Sequence, residues 1–316
     1  MSTIDSSWGY AKHIVALGEP LIELQPDGAD GFRVSIGGDV ANVMMCLARI
    51  LDITQFDLAL VTSLGTSLYA EWLRQRLTMA GIRLVETMMP GEPGIYGISP
   101  DPSRQPASSY WRDRSSARAM FSRITESRLV DLVPNVDLLV VTGVTLALCS
   151  ANSFERLCHW IEQRKPACRV IFDTNFRPAL WGQANEARRR VVKMELLASV
   201  VATSSEDERL LWNAKDTAEA LERSRCSGRE VIVRAGKDGC WTGGCDNWQH
   251  IPAQSGPAVN TVGAGDSHLA GYIAARLAGR SCFQAAQCAN RVASVIIRQP
   301  GSAPDSRTVM PRLDPS

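Results

Sequence analysis

Apolar residues recur along this chain in two alternating rhythms. Short runs rich in Val, Ile and Leu at 13–18, 58–63, 137–142, 169–173, 198–203 and 230–234 have the length and β-branched character of buried strands. Between them Val40, Val43, Met44, Leu47 and Leu51 fall at helical spacing, as do Leu269, Ile273 and Leu277 ahead of Gly279, which stops the helix. Such alternation predicts an α/β fold, a three-layer α/β/α sandwich with a mostly parallel central sheet. Two stretches, 20–36 and 90–114, break the rhythm. There Pro, Gly and Ser interleave with Ile95, Tyr96, Tyr110 and Trp111, a pattern of short strands standing off the main sheet as a small lid. With no internal repeat and no long polar linker, residues 1–316 are expected to form a single domain.

Composition narrows the function classes. The 316 residues are 45% apolar and 21% charged, ordinary values for a globular protein with a sizeable core. Lys and Arg number 34 against 33 Asp and Glu, so no global field attracts nucleic acid or an anionic bilayer. The most apolar stretch, 136–149, is interrupted by Asp137, Thr142, Gly143 and Thr145, well short of the roughly 20 residues of a spanning helix. The first twelve residues include Asp5 and no apolar run, unlike a secretory signal. Nine scattered cysteines, an odd count, suggest reduced thiols and a cytoplasmic location. Cys240 and Cys245 flank a Gly-Gly turn, but no second pair or His cluster stands at zinc spacing, so they read as hairpin thiols.

The strongest chemical signal lies near the C-terminus. Asn260-Thr-Val-Gly-Ala-Gly-Asp-Ser-His268 leads directly into the apolar stripe of 269–278. A glycine-rich turn opening a helix exposes backbone amides, here those of Gly263, Ala264, Gly265 and Asp266, which with the positive end of the helix dipole make a seat for a phosphate-like anion. An Asp in a first helical turn can be a mere cap. Capping leaves the Gly-Ala-Gly unexplained. Asp266 is therefore expected to take the proton of an attacking hydroxyl, its carboxylate kept ionised by the dipole, while the amides hold a phosphoryl group in transfer. Neither Gly-x-x-x-x-Gly-Lys-Ser/Thr nor an early Gly-x-Gly-x-x-Gly is present, so Walker-type and dinucleotide chemistry lose ground.

Gly263-Ala-Gly-Asp266 ahead of a helix, with Gly37-Gly38-Asp39-Val40-Ala41-Asn42 near the N-terminus, resembles the ribokinase-like (PfkB) family of sugar kinases, over about 13–301. Within it, Gly18-Glu19-Pro20, Gly94-Ile-Tyr96, Tyr110-Trp-Arg112 and Asp173-Thr-Asn-Phe-Arg177 are similar to 2-keto-3-deoxygluconate kinases. The resemblance implies an ATP- and Mg2+-dependent phosphotransfer, with a monovalent cation as a further possible cofactor. It makes Asp266 the base and Gly263, Ala264 and Gly265 the anion hole. Gly37, Gly38, Asn42, Tyr96 and Tyr110 would surround the sugar, with Arg112 and Arg177 on a carboxylate, for which a guanidinium fork is suited. Ser204, Arg234, Gly236, Gly239 and Asn290 would border the nucleotide. The run Ser205-Glu206-Asp207-Glu208 resembles the magnesium-side region, without singling out one ligand, so the metal ligands stay unknown. Relatives that pair their lids make a homodimer the expected assembly.

The chain also departs from the family pattern. Asn260 stands where Asp is usual, His268 where an aromatic is common, and the acidic run lacks the Asn of Asn-x-x-Glu. His268 reads as a helix-face residue more readily than as a proton relay. Two alternatives stand beside the keto-acid kinase: a kinase for another small sugar (2-keto-3-deoxygalactonate, fructose or ribose), and a non-catalytic sugar- or nucleotide-binding relative.

Overall fold

The computed structural model describes residues 8, 11–28, 31–99, 108–225, 228–243, 247–254, 256–305 and 307–311. Its strands are, in chain order, β1 (His13–Leu17), β2 (Leu21–Asp27), β3 (Gly31–Gly37), β4 (Asp57–Thr62), β5 (Ile82–Glu86), β6 (Gly94–Ile98) and β7 (Ser108–Trp111). There follow β8 (Leu138–Thr142), β9 (Arg169–Asp173), β10 (Val200–Ser204), β11 (Glu230–Arg234), β12 (Cys240–Gly243) and β13 (Gln249–Ile251). Nine of them form the main sheet in the order β13-β12-β11-β10-β9-β8-β1-β4-β5. Every pairing from β11 to β5 is parallel, and β12 and β13 add an antiparallel edge.

The period-2 alternation of a strand assigns the two faces. Ile14 and Ala16 of β1 enter one core, shared with α1 (Asp39–Ile50), α2 (Leu68–Met79), α10 (Ala264–Leu277) and α11 (Cys282–Ile296). Val15 and Leu17 enter the other, built with α3 (Ser116–Phe121), α4 (Glu126–Leu132), α5 (Gly143–Leu148), α6 (Ala151–Glu162), α7 (Ala184–Leu197) and α8 (Ser205–Trp212). Ala220 of α9 (Thr217–Arg223) packs with Val231 and Val233 in a third, small cluster. The layers are those expected from the sequence, a mostly parallel sheet between helices.

From β1 the chain proceeds through β4 to β5 on one side, whereas β8 to β11 extend on the other. Strand order therefore reverses between β1 and β8, and the carboxyl ends of the parallel strands there open a crevice, the usual place for a ligand in an α/β sheet. Over it stands the second sheet, ordered β3-β2-β6-β7, with Glu23 paired to Ser35 and Tyr96, and Tyr96 to Tyr110. These strands come from the two stretches that broke the rhythm; 29–30 and 100–107 lie outside the described residues.

Helix α10 starts at Ala264, with Gly263 as its N-cap, five residues before the apolar stripe begins. The Ala-Gly-Asp-Ser-His entry carries no periodic apolar signal, yet it forms the first turn. Among the described residues no helix is long and apolar enough to cross a membrane. The seven described cysteines are free thiols; Cys226 and Cys245 lie outside the described residues.

Candidate active site

The entry to α10 is shaped by close approach of backbone. Gly263 has φ of 79°, and a Cβ there would stand 2.1 Å from the Ser302 carbonyl oxygen, so only glycine fits. The Ala264 amide donates to the Thr261 carbonyl at 3.2 Å, and the first α-helical bond runs from Ser267 to Gly263 at 2.9 Å. The amides of Gly265 and Asp266 have no backbone acceptor among the described residues. The anion seat is thus narrower than the sequence alone suggests, since Ala264 is already committed.

Asp266 shares the cleft with two further carboxylates. Asn42 of α1 donates its Nδ2 to Asp266 Oδ2 at 2.7 Å. Burial pushes the Asp266 carboxyl up to about 7, Asp39 and Asp173 add to the rise, and Asn42 and the Arg177 guanidinium oppose it. The expectation that this group is simply kept ionised is therefore corrected: burial leads the rise of its carboxyl to about 7, and near neutral pH the group is divided between its two forms. Asp39, in the first turn of α1, accepts hydrogen bonds from Thr142 Oγ1 at the end of β8 and from Asn175 Nδ2 at 3.2 Å.

The glycines ahead of α1 serve protein packing. A Cβ at Gly37 would stand 2.3 Å from the Tyr96 ring, and one at Gly38, with φ of 100°, would meet the Glu19 carbonyl oxygen at 2.3 Å. They let the small sheet and the end of β1 close onto the helix. Asn42 is buried and engaged on both sides, donating to Asp266 and accepting from Ser302 Oγ at 3.2 Å.

The lid residues divide into an inner network and an open rim. Tyr96 donates to Glu23 Oε2 and lies 3.0 Å from Ser302 Oγ, while Ser302 also contacts the Glu23 carboxylate. Glu23 is wholly buried, and burial raises its carboxyl to about 6. Tyr110 stacks on Tyr96 with ring centroids 5.6 Å apart and is 49% exposed. Arg112 is buried in an ion pair with Glu19, but Arg112 Nε and Glu19 Oε1 have no partner among the described residues. Arg177, just past the end of β9, is exposed and donates to the Phe176 carbonyl at 3.2 Å.

Of the residues assigned to the nucleotide side, Gly239 and Asn290 are buried, Ser204 and Arg234 half-buried and Gly236 exposed. Arg234 binds Asp173 through two hydrogen bonds of 2.7 and 2.6 Å, and also reaches the carbonyls of Gly265 at 3.0 Å and Thr203 at 3.2 Å. It braces the Gly265 turn from behind. Ser204 caps α8 and donates to Asp207 at 2.7 Å. Asn290 donates to the carbonyls of Ile251 and Pro252 at 3.2 and 2.9 Å. Gly239 is tight against the Ile251 carbonyl, whereas Gly236 has open space where a Cβ would stand.

The acidic run is consumed locally. Asp207 accepts from the Phe176 amide at 2.8 Å, Glu208 pairs with Arg223, and Glu206 pairs with Arg209 on the surface. No group of three His, Cys, Asp or Glu side chains fit to hold a metal exists among the described residues. Asn260 Oδ1 accepts from the Val262 amide at 3.0 Å, an ordinary turn role. His268 is buried, and burial followed by the field of Arg234 lowers it to about 3, so it stays neutral; its Nε2 has no partner among the described residues.

Sequence reasoning missed four participants. Asp39 lay inside a recognised motif and could have been found there, as the carboxylate at a helix start. Glu19 likewise lay in the quoted Gly18-Glu19-Pro20, without an assigned role, whereas Glu23 and Ser302 gave no signal beyond their residue type, because each is defined by a partner distant in sequence.

Comparisons with known proteins agree with this architecture. The chain is 30% identical over 303 residues to the 2-dehydro-3-deoxygluconokinase of Escherichia coli (strain K12), covering 92% of this chain and 97% of that one. It is 30% identical over 299 residues to the enzyme of the same name from Dickeya dadantii (strain 3937), covering 92% and 96%. A crystal structure of fructokinase from Vibrio cholerae O395, in fructose, ADP and calcium ion bound form, superposes with a TM-score of 0.77 at 19% identity, covering 95% of this chain and 96% of that chain, and shares the fold. Residues 11–309 match the family model described as pfkB family carbohydrate kinase. With that span matched and the relatives aligned nearly end to end, the chain belongs to the pfkB family of carbohydrate kinases.

Proposed function

We propose that this chain is an ATP-dependent kinase that phosphorylates a primary hydroxyl of the six-carbon sugar acid 2-keto-3-deoxygluconate. The observation that carries the proposal is the placement of Asp266, with a carboxyl raised to about 7, beside the amides of Gly265 and Asp266 at the start of α10, which have no backbone acceptor among the described residues. A base poised near the operating pH is suited to accept a hydroxyl proton as the oxygen attacks the terminal phosphorus of ATP. The new O–P bond forms as the bond to the leaving ADP oxygen breaks, and the amides stabilise the charge on the transferred group.

The relatives named 2-dehydro-3-deoxygluconokinase support the substrate, as do the arginines. Arg177 is open at the rim, and the unpartnered edges of Arg112 and Glu19 leave hydrogen-bonding capacity in the buried wall. On the nucleotide side, the open turn at Gly236 leaves room for a ligand, and Arg234 and Asn290 hold its borders in place. Magnesium, when bound, would neutralise part of the phosphate charge.

The small sheet would act as a lid within a single catalytic unit, excluding water from the transfer. Its outer face carries Phe32, Val34 and Trp111, which are 57%, 43% and 61% exposed, and a second copy of the chain would cover them in a lid-to-lid homodimer. The free thiols and near-neutral charge suit a cytoplasmic enzyme.

One observation favours a neutral sugar: Arg112 already has a carboxylate partner in Glu19. ADP release with ATP and magnesium, across 2-keto-3-deoxygluconate, its galacto epimer, gluconate, fructose and ribose, tests both. Turnover confined to the keto-deoxy acids supports the proposal, and activity on neutral sugars alone overturns the carboxylate assignment. ATP binding without turnover on any of them would indicate the non-catalytic alternative.

A further inference from the structure

Ser302 follows α11 in a segment that lies outside both glycine motifs, yet it touches Gly263, Asn42, Glu23 and Tyr96. Its carbonyl oxygen packs against Gly263 at the head of the anion seat. Its hydroxyl is buried, within hydrogen-bond reach of the Glu23 carboxylate, of Tyr96 OH at 3.0 Å and of Asn42 Oδ1 at 3.2 Å. Its amide donates to Glu23 Oε1 at 3.3 Å. A serine hydroxyl has one proton to give. Tyr96 also donates to Glu23, so that carboxylate does not depend on Ser302 alone, and the Ser302 proton is shared between Glu23 Oε2 and Asn42 Oδ1.

The two ends of the Asn42 amide differ in chemistry: the oxygen only accepts and the nitrogen only donates. A donor held against Oδ1 therefore selects the rotamer in which Nδ2 faces Asp266, as observed at 2.7 Å. With Asp266 as the base, an assignment on which this inference rests, we propose that Ser302 is a positioning residue: its hydroxyl fixes the Asn42 amide so that Asn42 donates to the ionised form of Asp266. Loss of that donation leaves the carboxylate less stabilised. The other groups that act on Asp266 are Asp39 from α1, Asp173 and Arg177 from the end of β9, and Arg234 from β11, with the Cys46 thiol of α1 nearby. Ser302 changes none of these directly.

The test is the pH dependence of kcat for Ser302→Ala and Ser302→Thr beside the parent enzyme, with melting temperatures measured in parallel. In S302A the acid limb is expected to move up by about 0.5–1 pH unit, with kcat at neutral pH falling about 3–10-fold and the KM for ATP unchanged. S302T keeps the hydroxyl and is expected to restore the parent limb. In an Asn42→Ala background the Ser302→Ala change should produce no further shift. Should S302A not fold, Ser302→Cys replaces it: the thiol has similar volume but donates weakly, and the same upward shift is expected. A lower melting temperature with an unmoved acid limb, or an S302T limb displaced as far as that of S302A, would overturn the assignment. Asp266→Asn keeps the two failures apart. If that variant turns over near normally, the base assignment falls and Ser302 with it; if it is inactive while the S302A limb stays put, only the role of Ser302 falls.

Discussion

Asn42 and Asp266, 224 positions apart, meet through a 2.7 Å hydrogen bond that joins the two glycine motifs into one site. The first motif ends on an amide and the second on a carboxylate, so the residue placed for a sugar hydroxyl also stabilises the charged form of the base. Under the proposed function, proton acceptance and substrate contact would be coupled at a single side chain.

Replacing the carboxylate tests the chemistry directly. Asp266→Asn is isosteric and cannot accept the proton, so turnover should fall by about 10²–10⁴-fold. ATP binding, followed by ligand-induced thermal stabilisation, should be largely retained. Near-normal turnover would remove Asp266 from the mechanism.

The raised carboxyl also fixes the sign of the pH response. A base must be unprotonated to act, so kcat should fall as pH drops through about 7, where Asp266 takes up its proton. Asp39→Asn removes the neighbouring negative charge that pushes this value up. Its acid limb is therefore expected at lower pH than in the parent, by about 0.5–1 unit. A limb that moves upward or stays fixed would contradict the electrostatic account.

Stability and specificity should separate at the two arginines. Arg112→Ala strands Glu19 as a buried, unpaired carboxylate, which typically destabilises by about 3–5 kcal/mol. Arg177→Ala removes an exposed group and should leave the melting temperature nearly unchanged. For a carboxylate substrate, R177A should raise KM by about 10–100-fold with little effect on neutral sugars. Equal KM changes for acids and neutral sugars would show that Arg177 does not read the carboxylate.

Gly263→Ala tests the backbone seat. The positive φ and the 2.1 Å approach to the Ser302 carbonyl leave no place for a methyl group. Strain of this kind costs about 1–3 kcal/mol, and relief requires the turn to move. A folded G263A protein is expected to lose activity, read as ADP release, along with a lower melting temperature.

Much of the fold was legible because its strands are short, apolar and regularly spaced. The expected 169–173 and 230–234 coincide with β9 and β11, and the other predicted strands are displaced by one or two residues at their ends. The start of α10 has no 3.6-residue rhythm, and it was legible instead from the glycine-rich turn that exposes the first amides of the helix. At the site, Asp266 and the turn before it were visible as residue types in an order that few other chemistries require. The states of Arg112 and Arg234 were not. Their partners Glu19 and Asp173 lie 93 and 61 positions away, and whether a guanidinium faces a ligand or a buried carboxylate is decided by tertiary packing. The protonation of Asp266 was hidden for the same reason, since desolvation and the fields of Asp39 and Asp173 exist only once the chain is folded.

The contact of Gly37 with the Tyr96 ring, and of Gly38 with the Glu19 carbonyl, bears on how this architecture can be recombined. Residues from three separate segments share one fit, so none can be exchanged alone. A chimaera that borrows the small sheet of a relative must bring positions 19, 37, 38 and 96 from the same parent, or the first turn of α1 loses its seat and the Asn42 amide goes with it.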